Sequence, residues 1–377
     1  MDFEWTPEQR DRYEATVTAV RARWGGAVRT GPFTRDEWRA CGELGLLGLP
    51  VPGEYGGGGL DARTSARVIE AFGYASEDMG LVFATMAHLL ACVMPIAEHG
   101  SPGLRAALLP PLCSGEWIGA NAITEEGAGS DVGALSCRAE RVPGGYRIDG
   151  VKSFVSNGPV ADVFLVYAVT DPELGHLGVS AFAVERDRPG LDARPAFAKL
   201  GLDACPAGEL VLTGCVVPEG NLLGRPGQGS AIFQSSMRWE RSCLFAGYVG
   251  AVERLLERCV ERAARRRRFG RPIAANQAVA HPLVDVRLRL DAARLLLYRA
   301  CHVLDRGGAA ALEVSLAKLA VSETAVAAAL TAVQVFGGDG YRGGPGIERM
   351  LRDTVPGTLF SGTSEMQREI VAREMGL

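Results

Sequence analysis

Lysine is almost missing from this chain. Of 377 residues only Lys152, Lys199 and Lys318 are lysine, and arginine supplies the rest of the 40 basic side chains. Without a GK[ST] string, a P-loop phosphate site is excluded. The arginine excess fits a GC-rich coding bias and carries no mechanism. Against 44 acidic residues the net charge is −4, so the sequence offers no basic field for nucleic acid or an anionic membrane. Histidine is also scarce, at five, with no HExxH pair, so no metal is expected. The nine cysteines stand singly with no CxxC pair, which excludes a zinc ribbon and a disulfide framework. Free thiols of this kind suit a reducing cytosol, and the cytoplasm is the expected location. The start, MDFEWTPEQR, is acidic and lacks the apolar core of a secretion signal. Long apolar runs are rare too. Residues 79–97 carry no formal charge, about a membrane span in length. They are bounded by Asp78 and Glu98 and contain His88 and Pro95, so they read as a buried core helix, with no membrane insertion.

What is present describes a globular protein with a large core: 47% hydrophobic residues, 22% charged, and a mean hydropathy of +0.08. Such a length suggests two or three domains at roughly 100–200 residues each. Three textures follow one another. Residues 1–115 read as helices, with Thr34-Arg-Asp-Glu37 spaced as a capping box and helical periodicity over 62–72 and 79–97. Residues 116–225 change to short β-branched runs at 146–149, 163–169, 179–184 and 209–212, separated by Gly, Pro and Asn turns. From 226 to 377 long Ala/Leu helical patterns return, notably at 231–262, 278–306 and 310–335. The expected class is α+β: an N-terminal all-α domain, a central β-barrel or sandwich domain, and a C-terminal four-helix bundle.

Four strings stand out chemically. Asn121-Ala-Ile-Thr-Glu-Glu-Gly-Ala-Gly-Ser-Asp131 exposes backbone N–H groups around small residues, and Ser130 adds a donor, which suits an anion such as a pyrophosphate. By itself it is equally an ordinary glycine turn. Gly150-Val-Lys-Ser-Phe-Val-Ser-Asn-Gly158 sets Phe154 and Ser156 two residues apart on one strand face. Arg265-Arg-Arg-Arg-Phe-Gly-Arg-Pro-Ile273, followed by Gln277, alone reads as a solvated basic helix end. Gln334-Val-Phe-Gly-Gly-Asp-Gly-Tyr341 and Ser361-Gly-Thr-Ser-Glu365 close the series.

In this order and spacing, from Glu54-Tyr-Gly-Gly to Thr363-Ser-Glu, the strings resemble the acyl-CoA dehydrogenase family of flavoproteins. The resemblance implies FAD between the β domain and the bundle, in a homodimer or homotetramer. Position by position, it implies flavin contacts from Asn121, Ile123, Thr124, Gly129, Ser130, Phe154 and Ser156. It implies that Arg266, Phe269, Gln277, Gln334, Gly337 and Gly338 reach the adenosine half, characteristically in a neighbouring subunit, and that Thr363 and Glu365 form the closing segment. Glu126 departs from the family's usual proline.

The reaction implied is α,β-dehydrogenation of an acyl thioester: a carboxylate takes the α-proton while the β-hydrogen leaves as hydride. No side chain accepts hydride, hence the flavin. The α-proton yields only if the thioester carbonyl is held by donors as it becomes an enolate. Many family members carry the base just before Gly-Thr of the closing segment, but here that residue is Ser361. Members resembling isovaleryl-CoA and long-chain enzymes carry it on a bundle helix before an arginine, which here matches Glu240-Arg241. Glu240 is the expected base, although by pattern alone a solvated helical glutamate is the commoner fate. Ser361 (through its backbone N–H), Arg241 and Arg238 are the expected substrate contacts. The thioester rides on CoA or, as the Trp-Glu-Arg string suggests by resemblance to biosynthetic members, on an acyl-carrier protein. Electrons then pass to an electron-transfer flavoprotein or oxygen. A flavin oxidase or monooxygenase on this scaffold, and a catalytically silent flavoprotein, are the competing readings.

Overall fold

The structure, a computed structural model, describes residues 4–25, 31–344 and 346–377. Helix α1 (Pro7–Trp24) and α2 (Arg35–Glu43) each begin at a complete capping box, from Thr6 to Gln9 and from Thr34 to Glu37. Helix α3 (Ala62–Ala75) is capped by Asp61. Next come α4 (Met79–His88), a π turn (Leu89–Val93) and α5 (Met94–His99), one continuous rod of which 94% of the apolar window is buried. The charge-free run is thus a core helix. Helix α6 (Pro102–Ser114) completes the helical layer.

The β segment forms one mixed eight-stranded sheet. Its strands are β1 (Gly119–Ala122), β2 (Arg138–Val142), β3 (Gly145–Ser156), β4 (Val163–Val169), β5 (Val179–Glu185), β6 (Leu191–Ala193), β7 (Ala207–Pro218) and β8 (Leu222–Leu223). Strand order is β6-β7-β3-β2-β4-β5-β8, with β1 parallel to β4. Strands β4 and β5 are buried along almost their whole length, which explains their continuous rather than alternating apolar pattern.

The C-terminal part begins with α7 (Gly229–Trp239), a second π turn (Glu240–Leu244) and α8 (Ala246–Arg265). After the hairpin of β9 (Arg267–Arg268) and β10 (Arg271–Pro272), the long helices α9 (Gln277–Asp305) and α10 (Ala311–Phe336) pack antiparallel beside α8. Short α11 (Gly338–Tyr341), α12 (Ile347–Thr354) and α13 (Ser364–Glu374) close the chain.

Backbone contact joins the layers. A Cβ on Gly73 of α3 would sit 1.9 Å from the Gly247 carbonyl oxygen, and one on Gly250 of α8 would sit 2.0 Å from that of Glu70. At the three-way junction, Arg349 of α12 pairs with Asp78 at 3.1 Å and Asp353 at 3.5 Å, while Asp353 accepts from Leu202 N at 2.5 Å. Burial pushes the Asp353 carboxyl up to about 6. The two π turns pack against each other, one in the core rod and one carrying Glu240. Each leaves the regular α ladder with a carbonyl offset, a feature that clusters at functional sites.

One buried ion pair positions the loop after β1. Lys152 of β3 is wholly buried and donates to Glu125 Oε1 at 2.7 Å and to the Ile123 carbonyl at 3.1 Å. Glu125 also accepts from Ser136 N, Ser136 Oγ and Cys137 N. These bonds hold its carboxyl below the usual range even though burial pulls the other way. Lys152→Met would strand a buried carboxylate, so a loss of about 3–5 kcal/mol in urea unfolding at pH 7 is expected, with weaker dinucleotide retention. Wild-type stability in that variant would contradict the bracing role.

Candidate active site

The expected site residues fall into two main groups, one on β1, the loop after it and β3, the other at the start of the bundle. The first is the loop from Asn121 to Ser130. Gly127 and Gly129 have open space where a Cβ would point, Ser130 is exposed, and Asn121 Oδ1 is buried without a hydrogen-bond partner among the described residues. Ile123 is buried and its carbonyl is held by Lys152, while the Thr124 carbonyl accepts from Ser153 N at 2.8 Å. Strand β3 is not regular here. Register shifts fall between Ile148 and Gly150 and between Lys152 and Val155, and Phe154 has φ 54°, in the left-handed region. The bulge turns the Phe154 ring outward, 69% exposed, with Phe197 edge-on against it at 5.2 Å. Ser156 is half-buried beside it, and Asn157 ties the strand end to the Ala84 carbonyl of α4 at 2.9 Å. An exposed aromatic, open glycine backbone and an orphaned amide oxygen fit a flat ring joined to a phosphate.

The second group is Glu240, the expected base, and its surroundings. Glu240 opens the π turn and is 7% exposed. Its Oε2 accepts from Ser361 Oγ at 2.8 Å, and its Oε1 has no partner among the described residues. Loss of water is the dominant influence and pushes the carboxyl up to about 7; Ser361 and Arg241 pull the other way. Arg241 donates through Nε to the Ser361 carbonyl at 3.0 Å, so it anchors the closing segment. Arg238 donates to Ser235 Oγ at 3.1 Å. Glu98 accepts from Ser235 Oγ and from the Trp239 indole, which fixes the turn just before the base. Thr363 caps α13 through Met366 N, and Glu365 is exposed.

The remaining expected contacts lie elsewhere. Arg266 shares an open cleft of about 400 Å³ with Arg262, Arg265 and Phe336, while Gln277, Gln334, Gly337 and Gly338 are exposed and Phe269 is fully so. This cleft lies along the C-terminal half of α8, a helix about 30 Å long whose other end follows the Glu240 turn.

The family signatures described as acyl-CoA dehydrogenase N-terminal, middle and C-terminal domains match residues 6–116, 120–215 and 227–376. The chain belongs to the acyl-CoA dehydrogenase family. It is 50% identical, over the full length of both chains, to an L-prolyl-[peptidyl-carrier protein] dehydrogenase of Pseudomonas fluorescens. A solved structure described as PigA with FAD and proline superposes with a TM-score of 0.96 at 39% identity, covering 100% of each chain. Another, a prolyl acyl carrier protein oxidase AnaB, superposes with a TM-score of 0.97 at 38% identity, covering 99% of this chain and 100% of that one.

Three residues beside the expected site residues went unnoticed in the sequence. Lys152 could have been suspected as a lysine inside a strand beside Phe154. Tyr167, buried near Glu240, was hidden in the apolar run of β4, and Gln367, which donates to the Ser361 and Gly362 carbonyls, carried no signal.

With burial pushing its carboxyl up to about 7, Glu240 can serve as the expected base only when ionised. The rate kcat/KM should therefore climb with pH through about 7 and level off above it. A pH–rate profile flat from pH 5.5 to 8.5 would contradict this reading of Glu240.

Proposed function

We propose that the chain dehydrogenates the prolyl group of an L-prolyl carrier-protein thioester, with FAD as its cofactor. The supporting observation is the buried Glu240 carboxylate, with one oxygen engaged by Ser361 and the other free, in a chain half identical throughout to a relative named for that substrate. When bound, FAD supplies a ring able to accept the β-hydrogen as hydride.

The chain's own residues do the rest. Glu240 Oε1 takes the proton from the prolyl α-carbon. Backbone N–H at 361 is the donor that receives the thioester carbonyl as charge builds on its oxygen. Exclusion of water by the packed core rod keeps the carboxylate basic enough for the task. Phe154, Thr124 and Ser156 would hold the ring, and Asn121, Gly129 and Ser130 would hold its edge and phosphates. Arg238, bound to Ser235, borders the approach to the base.

A second copy completes the adenosine contacts. Arg266, Phe269, Gln277, Gln334, Gly337 and Gly338 are the residues that would reach a neighbouring subunit's FAD, and Arg266 lies beyond the end of α8, about 30 Å long, from Glu240. Exposed Leu288 and Leu295 on α9 and Leu330 on α10 offer apolar surface for that assembly. The long apolar helix α10 has only 39% of its window buried within one chain, which suits a homodimer or homotetramer. All nine cysteines are buried and none of these described residues forms a disulfide, in keeping with a cytoplasmic setting. Oxygen is one candidate electron acceptor, favoured by the relative described as an oxidase; an electron-transfer flavoprotein is the other.

Glu240→Gln should purify yellow and FAD-loaded yet lose roughly 10²–10⁴-fold or more in substrate-dependent flavin bleaching. L-prolyl carrier protein should bleach wild type faster than butyryl- or isovaleryl-CoA. Full turnover by the variant would remove Glu240 as base, and a preference for CoA esters would remove the carrier-protein reading.

A further inference from the structure

Ser361 sits in a conformation that its own chemistry disfavours. Its φ is 55°, in the left-handed region where a residue with a Cβ is strained and glycine is not. Strain of this kind persists only where the surroundings over-determine it. They do so here. The Ser361 carbonyl accepts from Arg241 Nε at 3.0 Å and from Gln367 Nε2 at 3.3 Å, and Gln367 Nε2 also reaches the Gly362 carbonyl at 3.0 Å. On the other flank, Phe360 packs against Phe83 at 4.5 Å and Phe245 at 5.5 Å between ring centres. The turn is clamped from both sides, and its product is a side chain aimed at the base: Oγ to Glu240 Oε2, 2.8 Å.

We propose that Ser361 is a positioning residue for the base: its hydroxyl holds one oxygen of the Glu240 carboxylate so that the other, Oε1, faces the proton to be removed. This inference rests on Glu240 being the base, and it assigns a task to the Ser361 side chain separate from that of its backbone N–H. The physical ground is the asymmetry of the carboxylate. A buried carboxylate with two free oxygens swings about its terminal torsion and divides its basicity between two directions. One charge-assisted bond removes that freedom and stabilises the ionised form in a site where burial opposes it.

The other groups around the carboxylate leave this task to Ser361. Arg241, on the same turn, is committed to the Ser361 carbonyl, and Lys318 of α10 lies behind it, brought down to about 8 by burial and by Arg241. Tyr167 of β4 faces Glu240, with Cys92 of the first π turn beyond it; Cys301 of α9 touches the Ser242 carbonyl, and Tyr248 lies on α8. Burial pushes all four of these upward, so they are neutral where the enzyme works.

The test compares Ser361→Ala and Ser361→Gly with wild type and Glu240→Gln, as FAD-loaded full-length proteins turning over L-prolyl carrier-protein thioester. Glycine accepts the positive φ without strain, so that variant keeps the turn if alanine disturbs it. In both Ser361 variants the ascending limb of the kcat profile should move up by about one pH unit or more. The rate at pH 6.5 should fall roughly tenfold or more, and most of it should return at pH 9. A uniform loss at every pH, with the limb unmoved, would mean that Ser361 only shapes the turn and would overturn the proposal. Should Glu240→Gln remain as active as wild type, the failure would lie with the base assignment instead.

Discussion

The site depends on one carboxylate taken out of water. Glu240 lies in the core at 7% exposure with a single hydroxyl on one oxygen, and the surrounding structure keeps it there. Burial makes the ionised form costly, which lifts the carboxyl to about 7, between an inert surface glutamate and an acid that never ionises. The π turn is the backbone device that presents it. The indole of Trp239 on Glu98, and Arg241 on the closing segment, fix the turn from both ends.

That carboxylate has use only against a ring and a thioester, and the fold brings the parts together from separate layers. The core rod supplies a dry wall between sheet and bundle. The Lys152–Glu125 pair stiffens the loop after β1 from beneath, and the β3 bulge turns Phe154 out of the sheet. Each element would be unremarkable alone: a buried salt bridge is weak evidence for stability, and a bulge is common. Their value here is directional, since they set where backbone donors and an aromatic face point.

Much of the architecture was legible in the sequence because its signals are local. The Thr34–Glu37 capping box, the uncharged run at 79–97 and the β-branched runs of β4 and β5 depend on neighbours in the chain. The β-barrel or sandwich expectation resolves to a single mixed sheet, because strand pairing such as β1 beside β4 is set by distant residues. The family was readable from strings in series, and Ser361 pointed the search for a base to Glu240. What stayed hidden was long-range: Lys152 to Glu125 across 27 residues, Ser361 to Glu240 across 121, and a left-handed φ at Phe154 and Ser361 that no residue type announces.

The proposed chemistry starts with proton removal from the carbon beside the thioester, by a buried acid that must be ionised. Single-turnover flavin bleaching under anaerobic conditions, with L-prolyl carrier protein deuterated at the α-carbon, reads that step directly. The account predicts slower bleaching by the deuterated substrate, by at least about twofold, on the acidic side of a rise centred near pH 7. Equal rates for the two isotopes, with no dependence on pH between 6 and 8, would contradict it.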